Sequence, residues 1–507
     1  MTSRRPSSTP PPRGSLIRRC EPRIARDLHH PHHRKAHPTG AANREPPVTS
    51  TTLTTGPPTG VPVALHGVTA SVDVAPDLVA VRSRLSDPDS FIWLRPDGAD
   101  SLLTWGRAAE WSPPPRGHRF ASARRFVDDV AGQLRDVRSV IVGGFSFTGD
   151  IGAETHGRSR AIPAWSAFGT GNLTVPALQV VRRGSRWSVT SIAADPRRAQ
   201  VRLAQTLELL DEVAENPPSV ESSGSSTSPC PRDGFDARVV DTTADHFTGI
   251  VARAVDDIKA GRLEKVVLAR SVELIGRVDL DCWLARLRDR FPSCAVFAHR
   301  IGPVTFFGAS PERLVSVDGP TVETSALAGS RPRGTDPASD RALTEELWHS
   351  VKEQNEHRFA VNHLRAGFRA AGVELDPDRP TEVLRIPGIQ HLHTPITGRR
   401  PTGIGILDLV ETLHPSPAVA GTPTPAALEW IARHEGLDRG WYTAPIGWLD
   451  TEGQGEFRVG LRSALHSSDT DTTTLFAGGG IVGRSVPVDE LQETRTKLGA
   501  LLDVLPR

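Results

Sequence analysis

Apolar and polar positions follow two rhythms along this chain. Phe91-Ile92-Trp93-Leu94 and Ser139-Val140-Ile141-Val142 are short apolar runs bounded by turn residues, and they predict strands. Ala177-Leu178-Gln179-Val180-Val181 and Trp187-Ser188-Val189-Thr190 flank Arg182-Arg183-Gly184-Ser185, the pattern of a hairpin. Leu203, Leu207 and Leu210 give residues 200–212 helical spacing, as do Phe247, Ile250, Val251, Ala254 and Ile258 before a C-cap at Gly261. Residues 265–272 read as a strand from their β-branched content, with Lys265 and Arg270 on opposite faces. One long helix is predicted over residues 340–371. Its stripe of Leu343, Leu347 and Val351 is interrupted by Gln354, Asn355 and Arg358, and resumes at Val361, Leu364 and Phe368. That polar gap predicts a helix facing water at its middle. Beyond Pro487, Leu491, Leu498 and Leu501 mark a last helix.

Three segments follow from composition. Residues 1–60 are rich in Pro, Ser, Arg and His and poor in large apolar residues, so they predict a disordered basic tail. Residues 61–235 read as a scaffold ending in a Pro/Ser linker at 216–233, and residues 236–507 carry most of the candidate chemistry. Over 507 residues, 60 Lys and Arg balance 59 Asp and Glu. Such a balance gives no overall attraction to nucleic acid or anionic membrane. No apolar run is long enough to span a bilayer. The four cysteines show no metal-binding spacing and predict a reduced, cytoplasmic protein without a disulfide framework.

Candidate chemistry clusters late in the chain. Lys265 opens a strand, where its bland reading is a snorkelling surface residue. Its functional reading is a general base, made to yield its proton by burial and neighbouring cations. The runs Gly308–Glu312 and 327–334 read as turns, the first holding Glu312 and the second containing Gly329 and Ser330. Glu353 and Glu356 lie three apart within the polar gap, and Glu490, Glu493 and Lys497 share one face of the last helix. Carboxylates without cysteine favour a hard cation, Mg²⁺ over Zn²⁺. Gly478-Gly479-Gly480 predict a positive-φ turn whose amides line an anion-binding concavity.

Taken together, Lys265–Arg270, Gly308–Glu312, Leu327–Ser330, Glu353-x-x-Glu356-His357, Gln390-His391, His414–Ala418, Gly460–Arg462 and Gly478–Val482 with Glu490-x-x-Glu493 resemble the chorismate-utilising enzymes. Within them the chain is most similar to the isochorismate synthases of menaquinone and siderophore biosynthesis. The resemblance is close over residues 236–507 and loose before them. It implies an α+β fold of antiparallel sheets packed face to face, with helices outside and a chorismate-binding catalytic domain at 236–507. It also implies Mg²⁺-dependent conversion of chorismate to isochorismate. Lys265 would be the base and Glu312 the acid. Glu356 and Glu493 would ligate Mg²⁺ directly, with Glu353 and Glu490 holding its waters. Arg462, Lys497, Tyr442 and the amides near Gly479 and Gly480 would hold the enolpyruvyl carboxylate; Gly329, Ser330 and His391 would line the ring site. Lys265 separates the chain from anthranilate synthases, which usually carry glutamine there and draw ammonia from a glutamine amidotransferase. Ala418 separates it from salicylate synthases, which carry threonine. A monomer without an amidotransferase subunit is therefore expected. The alternatives are a salicylate synthase and a non-catalytic chorismate-binding relative.

Overall fold

The computed structural model describes residues 64–73, 75–95, 100–114, 118–149, 162–216 and 237–505. The expected tail at 1–60 and nearly all of the 216–233 linker lie outside the described residues.

Every strand pairs antiparallel, and the pairs can be followed as one sheet. From Lys265–Ile275 the path runs through Thr472–Ile481, Ser463–Ser467, Val304–Ser310 and Ala295–Ile301. It continues through Ser90–Leu94 and Ser101–Trp111 to Gly171–Arg183. That strand is long enough to carry two neighbours on its far side: its second half pairs with Arg186–Ala193, its first with Val140–Phe145. From Val140–Phe145 the path goes on through Pro445–Asp450, Gly455–Val459, Arg313–Asp318 and Thr321–Pro332 to Ile389–Arg399. The first and last strands of this path line a common cavity, so the sheet folds back on itself. The architecture is α+β. Two links, Ser90–Leu94 with Ala295–Ile301 and Val140–Phe145 with Pro445–Asp450, tie the first half of the chain to the second.

Between the halves lies an aromatic core. Trp165 meets Phe168, Phe306 and Phe476 at centroid distances of 5.8, 5.2 and 5.8 Å, and Phe168 meets Trp441 at 5.1 Å. Burying one large apolar side chain stabilises by roughly 1.5–3 kcal/mol, so this cluster is a principal clamp between the layers. Helices cover the outside with one face each. Ala244–Lys259 buries Phe247, Ile250, Val251, Ala254 and Val255, and Gly261 follows at φ +74°, as its expected capping position requires.

Four expectations are corrected. The long helix over 340–371 is two helices, Pro337–His349 and Val351–Ala370. Ser350 takes an extended conformation between them, and its hydroxyl accepts from the Glu353 amide at 3.4 Å. Serine favours such capping over a helix interior, and the cap places Glu353 in the first turn of the second helix. Residues 327–332 form no turn; they belong to strand Thr321–Pro332, bulged at Gly329, whose φ is +76°. The glycine triplet lies in strand Thr472–Ile481, and none of the three has a positive φ. Finally, Cys294 is a free, buried thiol, but Cys282 is disulfide-bonded, a departure from four reduced cysteines.

Candidate active site

Strand pairing sets the floor of the site. Gly478, Gly479 and Gly480 lie opposite Ala269, Leu268 and Val267. Past Leu475 the Thr472–Ile481 strand has lost its other neighbour, Ser463–Ser467, so one edge is free. The Gly478 carbonyl uses that edge to accept from Lys497 Nζ at 2.8 Å. Alternate residues turn their peptide groups to the same side, so Gly480 shares the free edge. The amide donors expected from this stretch therefore come from a strand edge and not from a positive-φ concavity. The lack of a Cβ serves close approach. On Gly480 a Cβ would stand 2.7 Å from Lys265 Cε, whereas on Gly479 it would stand 3.3 Å from Glu490 Oε2.

The cavity, of about 210 Å³, is lined by Lys265, Glu312, Gly329, Ser330, Glu353, Glu356 and His391. Ala418, Tyr442, Arg462, Gly479, Gly480, Glu490, Glu493 and Lys497 complete the set picked out in the sequence, and no member of it lies elsewhere. Lys265 Nζ donates to Glu356 Oε1 at 2.6 Å. The expectation of cations around Lys265 is corrected: its direct partner is an anion. Lys497 reaches Glu493 Oε1 at 2.7 Å. Glu353 is buried, accepting from Arg331 Nη1 at 2.9 Å and from the Ser330 amide at 3.2 Å. His391 shares a 2.7 Å hydrogen bond between Nδ1 and Ser330 Oγ, while its Nε2 has no partner among the described residues. Tyr442 stacks on Phe476 at 5.1 Å. Arg462 has φ +47° and Thr443, beside Tyr442, has φ +61°. Left-handed backbone in non-glycine residues costs energy and gathers at functional sites. No carboxylate pairs with the Arg462 guanidinium among the described residues, so it remains available for an anionic ligand.

Burial tunes these groups. Desolvation pushes the Glu312 carboxyl up to about 7, against the pull of Lys265 and Arg458. Its side chain is only partly enclosed and lines the cavity, where a ligand can touch it. Burial also raises Glu356, but the charge and hydrogen bond of Lys265, with Lys352 and Lys497, outweigh it and hold that carboxyl below its ordinary value. Lys497 does the same for Glu493 against its burial. Glu490 is raised by desolvation, with the Glu493 charge adding to the effect and Ser485 opposing it. Desolvation holds the His391 imidazole well below its ordinary value, and the charges of Arg462 and Lys497 add to this, so it stays neutral.

The four glutamates, two from each of two helices, offer hard oxygen donors in one cavity, a donor type suited to Mg²⁺. Gly479 leaves room beside Glu490 and Glu493 that a side chain would fill. Among the described residues no three ligating groups converge closely enough to form a metal cluster, and Lys265 and Lys497 are bonded to Glu356 and Glu493.

Several neighbours had no role assigned from the sequence. His357 is not in the cavity; it bonds the Ala328 carbonyl at 3.2 Å and Thr394 Oγ1 at 2.7 Å, locking the Glu356 helix onto two strands. Arg439, Thr443 and Phe476 also line the cavity. Spacing could have found Arg439, four residues after Glu435, but such pairs usually sit on exposed helix faces, and only its burial distinguishes it.

The model of the chorismate binding enzyme family matches residues 64–506. The chain is 38% identical over 376 residues to the salicylate biosynthesis isochorismate synthase of Pseudomonas aeruginosa, covering 72% of this chain and 74% of that protein. It is 40% identical over 264 residues to isochorismate synthase MenF of Bacillus subtilis, covering 52% of this chain and 55% of that one. Among solved structures, the menaquinone-specific isochorismate synthase of Escherichia coli matches at a TM-score of 0.69 and 25% identity, over 87% of this chain and 95% of that one. With the family model matching residues 64–506 and a relative 38% identical over about three quarters of each chain, this chain belongs to the chorismate-binding enzymes.

Proposed function

We propose that this protein is an isochorismate synthase, adding water at C2 of chorismate while the C4 hydroxyl leaves and the ring double bonds shift. The observation that carries the reading is Glu312. Its carboxyl, raised to about 7 in the cavity it shares with Lys265, still holds a proton near neutral pH. A hydroxyl is a poor leaving group and needs such a donor, just as water, a weak nucleophile, needs a base. Lys265, turned from Glu356 and acting as the neutral amine, takes the proton of the attacking water, and Glu312 gives its proton to the departing C4 oxygen. Oxygen and protons balance, so the reaction is an isomerisation.

Arg462, Tyr442, Lys497 and the Gly480 amide on the free strand edge hold the enolpyruvyl carboxylate by charge and hydrogen bonds, with Gly479 beside it allowing close approach. Gly329, Ser330 and neutral His391 line the ring. Glu356 and Glu493 would hold Mg²⁺ directly, and Glu353 and Glu490 through water; the cation supplies charge neutralisation for the ring carboxylate. Ala418 leaves the enolpyruvyl group unconstrained, so pyruvate elimination is disfavoured. The enzyme works in the cytoplasm as a monomer, without an amidotransferase. No helix among the described residues is long and apolar enough to cross a membrane.

The test is incubation of purified protein with chorismate and Mg²⁺, resolving isochorismate from salicylate over time. Isochorismate with little salicylate is expected. Enzymatic salicylate as the main product would promote the salicylate synthase reading, and no consumption of chorismate would sink both.

A further inference from the structure

The strand carrying Lys265 loses its backbone partner partway along. Lys265 and Val266 pair with Thr422 and Gly421, and the Val267 amide donates to the Ala420 carbonyl at 2.9 Å. There the partner chain turns away, leaving the Val267 carbonyl and the Ala269 amide as consecutive unpaired groups on that edge. Both are buried, and an unmade buried hydrogen bond is costly. A side-chain ion pair takes the place of the missing strand. Arg439 Nη2 donates to the Val267 carbonyl at 2.7 Å, and Glu435 Oε2 accepts from the Ala269 amide at 2.8 Å. The two side chains are joined by two 2.6 Å bonds.

The same guanidinium reaches the other walls of the cavity. Arg439 Nη1 donates to the Val419 carbonyl at 3.0 Å, next to Ala418, and to Thr443 Oγ1 at 3.3 Å, next to Tyr442. Its flat face rests on the Phe147 ring at 4.3 Å. Both charged side chains are almost fully enclosed, at 2% and 1% exposure. A buried ion pair is weak ground for stability, since desolvation offsets its attraction. Here it satisfies an orphaned strand edge and ties it to two separate walls of one cavity.

We infer that Arg439 and Glu435 are positioning residues, an artificial strand edge that sets Lys265 against the Ala418 and Tyr442 walls. This inference rests on the isochorismate synthase reading, since it acts through Lys265 as base. Arg439 does not transfer protons. Its planar fork meets acceptors in several directions at once, which the single ammonium of lysine cannot do.

The experiment is a double-mutant cycle in the full chain, with Arg439→Lys and Glu435→Gln each made in wild-type and Lys265→Ala backgrounds. Turnover of chorismate by the wild type is measured first, so failure of the functional reading shows there alone. In the wild-type background each positioning variant should lower kcat at least tenfold while KM changes less than threefold. In the Lys265→Ala background the same substitutions should change residual kcat less than twofold, because nothing remains to be positioned. A general loss of structure would instead multiply through both backgrounds. The inference is overturned if kcat of the single variants stays within twofold of wild type, or if their losses carry over in full to Lys265→Ala. Failure of both variants to fold would overturn it too, showing a pair that holds the fold and not the base.

Discussion

Replacing Glu312 by glutamine removes an ionisable proton and little else, because the two side chains share size and shape. In the folded protein desolvation raises this carboxyl from 4.5 to about 7. That difference corresponds to about 3 kcal/mol. Because the folded value lies above the unfolded one, the contribution is complete below pH 4.5. It is lost as pH rises, and the loss levels off once pH passes the folded value near 7. Glutamine does not titrate, so Glu312→Gln should gain on wild type across that window, by about 3 kcal/mol in total. For the roughly 400 described residues, at about 2 cal/mol/K each, this is a relative rise in Tm of about 4 °C. Thermal scans of both proteins every half unit from pH 4.5 to 8.5 read it directly. The activity of wild type should fall about tenfold per pH unit above 7 through loss of the acid, and Glu312→Gln should lower kcat by about 10²–10⁴-fold. Melting curves that stay parallel across the window would refute the burial reasoning. A variant that raises only KM would make Glu312 a binding group and not a proton donor.

EDTA should abolish turnover and Mg²⁺ restore it, with Glu356→Gln and Glu493→Gln losing far more activity than Glu353→Gln or Glu490→Gln; equal losses at all four would contradict the division into direct and water-mediated ligands. Gly480→Ala should lower kcat at least tenfold, because its Cβ displaces the Lys265 side chain, while Gly479→Ala should stay within about threefold; kinetics of the two variants side by side decide it. Lys265→Ala should lower kcat by about 10²–10⁴-fold at a nearly unchanged KM, measured under saturating chorismate. Ala418→Thr should raise the fraction of salicylate, read by its fluorescence, and an unchanged fraction would free position 418 of any part in where the reaction stops.

What could be read from the chain and what could not divide along physical lines. The polar gap at Gln354, Asn355 and Arg358 marks a helix that is not all core, but it names the wrong face: Glu353 and Glu356 line the cavity, while Arg358 and Val351 of the expected stripe are exposed. The break in that helix at Ser350 was invisible, since serine competes weakly for helix and only the cap geometry decides. Gly478–Gly480 looked like a turn because glycine permits one. Tertiary pairing with Val267–Ala269 overrode the local preference and made a strand. The raised carboxyl of Glu312 and the buried bonds of Arg439 depend on enclosure by segments far away in sequence, which no local pattern encodes. The resemblance nevertheless singled out residues that the fold gathers around one cavity.

The order of strands also bears on how the molecule is born. The Lys265 strand can find its main partner only when Thr472–Ile481 has been synthesised, near the very end of the chain. Until then Val266 waits for Ile481 with its edge exposed, and neither Glu312 nor the four glutamates of the cavity have a wall to stand on. A nascent chain halted anywhere before that strand leaves the ribosome should neither retain chorismate nor resist proteolysis around residues 265–275. Such non-local closure is slow, so on dilution from denaturant ligand binding should return after most of the helical signal. Truncation from the C-terminus by even a single strand should remove function altogether and not by degrees.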